Sequence, residues 1–150
     1  MPGYFDPVFA TAVLSLDPGS LGLAVWKKVR PIILDLVFIG DFGPVTIPLG
    51  SLLLPNAKGV ILRVSMFTTY MDNPGDRFWG TIDASGGQAS IPWYIPGVRV
   101  VDVFGDQENN QSLMVIPFNG PNPNITYQVR VSGAGSTEFR LIIEIVGQLL

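Results

Sequence analysis

Apolar and polar residues alternate along most of the chain from residue 32 onward. The clearest segments are 60–67, 125–131 and 139–145, where every second residue is Val, Ile, Leu, Met, Phe or Tyr. Alternation with a period of two is typical of a strand that buries one face of its sheet. These segments therefore predict short β-strands with one face toward a core.

Turn-forming residues separate the alternating segments. Gly, Pro, Asn and Asp cluster at 40–44, 72–76, 119–124 and 133–136. Such clusters mark the ends of strands, and their spacing is typical of a sandwich or barrel. The pattern predicts an all-β fold, a single sandwich-like or barrel-like domain of about eight short antiparallel strands. A short helical turn within 14–25 is the one helical segment considered, and two glycines weaken it.

The first 31 residues are almost as apolar as the rest but show no clear period. Four prolines, at positions 2, 7, 18 and 31, interrupt any long helix. The sequence thus predicts an extended N-terminal arm over 1–31 and a β body over 32–150. An arm this apolar is too long to bury itself in a small core, so we expect another chain to cover it.

Composition also favours an assembled protein. Charged residues make up 14% of the 150-residue chain, against about 25% in soluble domains, and mean hydropathy is +0.39. Burial between subunits would hide the apolar surface that so few charges leave exposed. The net charge of −3 argues against a nucleic-acid partner. No uncharged window is long enough for a membrane-spanning helix, so no membrane partner is expected.

Catalytic chemistry is restricted because the chain has no Cys and no His. Thiol nucleophiles, Cys/His zinc sites and Ser-His-Asp triads are therefore excluded. Carboxylates are the main acid/base groups that remain, and two oxygen-rich loops could also hold Ca²⁺. The paired-carboxylate candidates are Asp102, Asp106 and Glu108. The Ca²⁺ candidates are Asp106, Gln107, Glu108, Asn109 and Asn110 in one loop and Asp72, Asn73 and Asp76 in the other. We interpret both as polar turns, and expect no enzyme activity, cofactor, metal or small-molecule substrate.

Two further features allow more than one interpretation. Trp79, Trp93 and Tyr94 could form a flat platform for a sugar, although aromatic residues more often fill a core or an interface. Asp35 interrupts the apolar segment 32–39, which otherwise reads as a strand covered on both faces. A buried carboxylate needs a partner. We expect a structural ion pair with an arginine, and the candidates are Arg63, Arg99 and Arg140.

The apolar arm, the compact β body, the low charge and the lack of catalytic side chains together resemble the decoration proteins that cement the capsids of tailed bacteriophages. The resemblance implies a structural virion protein, made in the host cytoplasm, that sits on the capsid surface as a homotrimer. It implies the major capsid protein as partner, bound through the apolar arm. The residues expected to bind this partner are Tyr4, Phe5, Phe9, Leu14, Leu16, Leu21, Trp26, Lys27, Lys28 and Arg30.

Two alternatives remain open at this stage. A jelly-roll minor capsid or vertex protein would have the same arm but a body of two four-stranded sheets, which strand order would reveal. A carbohydrate-binding β-sandwich module would be a monomer with Trp79, Trp93 and Tyr94 exposed and coplanar.

Overall fold

The structure, a computed structural model, describes residues 11–17, 20–70, 75–85, 93–99, 109–118, 122–132 and 137–150. For 11–17, 20–23, 70, 85, 93–99 and 109 this description is limited to the backbone. All statements below concern these residues.

Ten strands lie in the described part of the chain, with one short 3₁₀ helix, Gly50–Leu52. The strands are β1 (Thr11–Asp17), β2 (Ser20–Trp26), β3 (Ile32–Phe38), β4 (Phe42–Pro48), β5 (Gly59–Tyr70), β6 (Arg77–Ser85), β7 (Trp93–Arg99), β8 (Asn109–Pro117), β9 (Asn124–Ser132) and β10 (Glu138–Leu149). The predicted all-β class is confirmed, and eight of these strands fall within the predicted body.

The strands form two antiparallel sheets. The four-stranded sheet has the order β4-β9-β6-β7. The six-stranded sheet has the order β1-β2-β10-β5-β8, and β3 pairs with the same edge of β10 as β2. The body alone therefore contributes four strands to each sheet, β3-β10-β5-β8 and β4-β9-β6-β7.

Pairing within the body is nested. The first body strand pairs with the last, β3 with β10, and the pairs β4–β9, β5–β8 and β6–β7 follow inward. One long hairpin, folded over so that its strands divide between two facing sheets, gives this order. This is the jelly-roll arrangement of two four-stranded sheets, which viral capsid proteins and lectins share.

The main core lies between the two sheets and contains the inward residues of the alternating segments. Val60, Leu62, Val64 and Met66 are fully buried, as predicted, and so is Phe139. The core also contains alternate residues of β9, from Ile125 to Val129, and of β10, from Phe139 to Ile145. The rings of Phe38 and Phe78 belong to the same core. Sheet alternation thus explains why the sequence pattern located the core correctly.

Two strands replace the helical turn considered within 14–25. β1 and β2 form an antiparallel hairpin, and the last three residues of β2, Ala24 to Trp26, pair with Gly147 to Leu149 of β10. We expected that the arm could not be buried by its own chain. This expectation is wrong for Ala24 to Trp26, which pair with β10. The rest of the division into arm and body stays a prediction.

The interpretation of 32–39 as a strand covered on both faces is also wrong. In β3 only Leu34 and Phe38 are buried, and Asp35, Leu36 and Val37 are exposed. Within the described part of the chain β3 pairs with β10 alone, so it forms a free edge of the six-stranded sheet. A run of apolar residues looks the same in sequence whether a second neighbour covers it or not.

Candidate functional site

The outer face of the six-stranded sheet carries rows of side chains that cross several strands. Leu113 of β8, Arg63 of β5, Glu144 of β10 and Ile32 of β3 are register neighbours in one such row. Arg63 donates from Nε and Nη2 to Oε2 of Glu144, at 3.1 and 2.6 Å. This face is therefore a mixed surface, apolar at both edges and ionic in the middle.

A pocket of about 360 Å³ opens on this face. It reaches across four strands and the segment that follows β2. Its lining combines apolar and cationic or amide side chains, and consists of Trp26, Arg30, Arg63, Gln111, Ser112, Leu113 and Val146. Leu113 is 60% exposed at the mouth. Such a lining fits a ligand with an apolar part and an anionic or hydrogen-bonding part.

Trp26 is half-buried in the wall of this pocket because Gly147 leaves room beside it. A Cβ on Gly147 would lie 3.3 Å from Cε3 of Trp26 and 3.2 Å from Cδ1 of Ile61. Trp26 packs on a second apolar cluster formed by Ala24, Ile61, Val146 and Leu149, separate from the main core. This end of β10 is thus buried on both of its faces.

The segment between β2 and β3 remains bound to β10 at both of its ends. The amide of Lys27 donates to the carbonyl of Val146 at 2.9 Å, and the amide of Ile145 donates to the carbonyl of Pro31 at 3.0 Å. Lys28 and Arg30, between these two contacts, are exposed. Among the described residues, none of Lys27, Lys28 and Arg30 takes part in an ion pair. We call these three residues the basic rim, and Arg30 is the one of them that lines the pocket.

The basic rim stands out because the chain as a whole carries a net charge of −3. Unpaired cations beside an apolar wall favour an acidic group that also brings an apolar side chain. Arg30 and Trp26, both predicted partner-binding residues, are brought together in one pocket.

A second ionic pair holds β3 to the centre of the sheet. Arg140 donates from Nε to Oδ1 and from Nη2 to Oδ2 of Asp35, both at 2.6 Å. The same guanidinium lies 5.6 Å from the ring centre of Phe67. The ion pair expected for Asp35 is therefore present, with Arg140, but Asp35 lies on the exposed outer face rather than in the core. Its hydrogen bonds with Arg140 lower the pKa of the Asp35 carboxyl.

An acid-dependent loss of stability follows from this lowered pKa. The unfolded carboxyl titrates near 3.8 and the folded one below it, so the stabilisation is complete above about pH 4 and is lost as pH falls through the folded pKa. We expect Asp35→Asn to reduce the fall in thermal midpoint between about pH 4 and pH 2, since the variant cannot lose this pair by protonation. Circular dichroism melts across pH will measure it, and equal falls in both proteins would contradict the assignment.

The outer face of the four-stranded sheet is more polar. Asp41 accepts from the amide of Val131 and from Nη1 of Arg130, both at 2.9 Å, and these bonds lower the pKa of its carboxyl. Burial raises the pKa of Asp83, whose Oδ1 is buried without a hydrogen-bond partner among the described residues. Trp79 is 40% exposed. The platform predicted from Trp79, Trp93 and Tyr94 stays a prediction, because the latter two side chains lie outside the description.

The other predicted site residues divide into four groups. Tyr4, Phe5 and Phe9 lie outside the described residues, as do Asp72, Asn73, Asp102, Asp106, Gln107 and Glu108. Asn109 and Asn110, predicted to lie in a polar loop, are instead the first two residues of β8. Leu14, Leu16 and Leu21 lie in β1 and β2, of which only the backbone is described. Asp76 is described and buried, and accepts from the hydroxyl of Thr137 at 2.6 Å.

The described part of the chain contains neither a cluster of metal-ligating side chains nor a helix able to span a membrane. No group of three or more Asp or Glu side chains is placed there to hold a metal ion. No helix among those residues is long and apolar enough to cross a membrane.

Sequence reasoning missed five residues of the pocket, and they are Arg63, Gln111, Ser112, Leu113 and Val146. They come from β5, β8 and β10, far from Trp26 along the chain. Only the register of β5 with β8 and β10 brings them beside Arg30. The alternating pattern did place Arg63 on an outward face, which was the available signal.

Comparison with known proteins gives two weak structural similarities. No protein-family model and no curated protein sequence matches the chain. A subviral particle of infectious bursal disease virus VP2 is similar at 16% identity and a TM-score of 0.42, over 89% of this chain and 37% of that one. TmCBM61, solved with β-1,4-galactotriose, is similar at 14% identity and a TM-score of 0.37, over 94% of this chain and 81% of that one. The chain thus spans little more than a third of the VP2 chain.

Proposed function

We propose that this protein is a structural component of a virus particle that binds neighbouring capsid subunits through the basic rim and its pocket. The observation that carries the proposal is the pocket itself, which brings Trp26 and Arg30 together on an open sheet face. Low charge and a set of exposed apolar residues support a protein that works in an assembly.

Strand order supports the jelly-roll version of this proposal over the decoration-protein version. The jelly-roll reading predicts a body of two four-stranded sheets, and the body contributes four strands to each sheet. Jelly rolls also occur in lectins and cupins, so the fold alone does not carry the function. The pocket and the basic rim add the specific element, a surface suited to an acidic partner.

Binding at the pocket is proposed to combine two effects. The indole of Trp26 and the side chain of Leu113 offer an apolar contact area beside Arg30. The basic rim then attracts an acidic group of the capsid subunit and sets its orientation. Repetition of the contact over a particle would strengthen attachment through multivalency.

The experiment measures how much of the chain is present in purified particles from cells that produce it. We expect near-stoichiometric amounts relative to the shell protein by quantitative mass spectrometry. Arg30→Glu should lower the incorporated amount at least about tenfold, since it places a carboxylate against an acidic group. Arg77→Glu is the matched control, because Arg77 is exposed on the four-stranded sheet. Trace amounts of the wild-type chain, or equal incorporation of the two variants, would contradict the proposal.

A further inference from the structure

The edge strand β3 exposes apolar side chains along most of its length. Six large apolar residues on or beside it are between 43% and 77% exposed, and they are Val29, Ile32, Leu36, Val37, Ile39 and Phe42. Together these side chains present on the order of 500 Å² of apolar surface. It is divided between the two faces of the sheet at this edge, because Leu36 shares the face of Phe38 and Val37 the face of Asp35. A standard interface buries about 800 Å² per partner, so this edge could supply most of one side.

The edge is also less protected against pairing with another strand than β4 and β7 are. Edge strands are commonly blunted by Pro, Lys or irregular pairing. β4 carries Pro44 and Pro48 and a register break, and β7 carries Pro96. β3 also has a register break, between Ile32 and Leu34, but it contains no Pro, Lys or Arg and its pairing with β10 is regular from Leu34 to Phe38. Its outer row of backbone amides and carbonyls is therefore open to a further strand.

We infer that β3 pairs antiparallel with β3 of a second copy of this chain, which joins the two six-stranded sheets into one continuous sheet. The sequence of β3 is compatible with pairing to itself, because apolar residues of one copy contact apolar residues of the other. The one charged residue, Asp35, is already held by Arg140. Two such strands can approach without an unpaired carboxylate at the contact.

Sheet geometry and charge limit the register of this pairing. Directly opposite residues of an antiparallel pair lie on the same face, so a two-fold axis normal to the sheet must pass midway between a residue and its own copy. An axis at Asp35 would place two carboxylates opposite each other, which is unfavourable. An axis at Leu36 places Leu36 opposite its own copy and Asp35 opposite Val37 of the second copy. The half-exposed Leu36 side chains then cover each other.

This contact is independent of the proposed capsid binding. It is made at the edge of the sheet, whereas the pocket lies on its outer face. It is a two-fold contact, so it differs from the three-fold packing that the resemblance to decoration proteins implies. Failure of one proposal leaves the other standing.

One variant of Leu36 and a matched control at Leu54 test the inference. We expect wild-type protein to sediment as a dimer at micromolar concentration, and Leu36→Lys to dimerise roughly tenfold or more weakly, because a buried unpaired charge would face its own copy. Leu54→Lys is the matched control, because Leu54 is 51% exposed away from β3 and its variant should remain a dimer. A wild-type monomer, or equal weakening by both variants, would overturn the inference.

Cross-linking tests the register directly because the chain has no cysteine of its own. Opposite residues of an antiparallel pair have Cα atoms about 4.5–5.5 Å apart, within the range for a disulfide. Mild oxidation of Leu36→Cys should give a disulfide-linked dimer in high yield, and Leu54→Cys should not. A dimer that forms without the Leu36→Cys cross-link would place the contact elsewhere, for example on a neighbour's N-terminal segment, and would also overturn the inference.

Discussion

Phe139→Ala is expected to destabilise the fold by about 3–5 kcal/mol, the usual cost of truncating a buried aromatic residue. Phe139 is fully buried in β10 and stacks on Phe78 of the opposite sheet, with ring centres 5.1 Å apart. Phe78 in turn stacks on Phe38 of β3, at 6.2 Å. Three rings thus join both sheets and the first and last body strands. Loss of the Phe139 ring opens a cavity beside Phe78 that β-strands, held by their ladders, cannot close.

Urea denaturation followed by circular dichroism will measure this effect as a lower midpoint with an unchanged slope. Phe42→Ala is the control, since Phe42 is 43% exposed although its ring contacts Phe38 and Tyr127. We expect a cost of about 1 kcal/mol there, mainly from the lost ring contacts. Similar losses in the two variants would show that the three stacked rings do not hold the sheets together.

Gly147→Val should cost about 1–3 kcal/mol and detach β2 from β10. A Cβ at this position would lie 2.9 Å from the carbonyl oxygen of Val25, closer than real side chains approach. That oxygen belongs to the backbone, so the strand must move rather than a flexible side chain. The movement separates Trp26 from the pocket and breaks the bond between Lys27 and Val146.

Two measurements will detect the detachment. Hydrogen exchange at the amide of Lys27 should become faster, and trypsin should cleave after Lys27 and Lys28 more readily than in the wild type. Gly40→Val is the control, because a Cβ on Gly40 meets nothing within 4 Å. If Lys27 stayed equally protected in Gly147→Val, the pairing of β2 with β10 would not be what holds this segment.

Alternation of residue types was sufficient to predict the body strands and their inward faces. Val60 to Met66 and Phe139 to Ile145 are examples, because alternate residues of each strand are buried in the main core. The same reasoning supplied Arg140 among the partners for Asp35. A period-two pattern indicates only which face of a strand is buried. It does not indicate which strands are neighbours or in which register they pair.

The features that sequence reasoning missed depend on contacts between distant strands. β2 was not recognised because Gly22 and nearby prolines obscure its pattern, although Gly147 gives it a place on β10. The free edge at β3 depends on which strands lie beside it. The pocket depends on a register shift between Ile145 and Gly147, which brings Val146 beside Trp26.

The central place of β10 in the six-stranded sheet has a consequence for synthesis on the ribosome. Asp35 of β3 and its partner Arg140 of β10 are 105 residues apart in the chain. At about 5–20 residues per second, translation leaves β3 without its neighbour for roughly 5–20 s. During that interval the apolar edge of β3 is exposed on the nascent chain. We therefore expect ribosome-associated chaperones to bind this segment until elongation is complete.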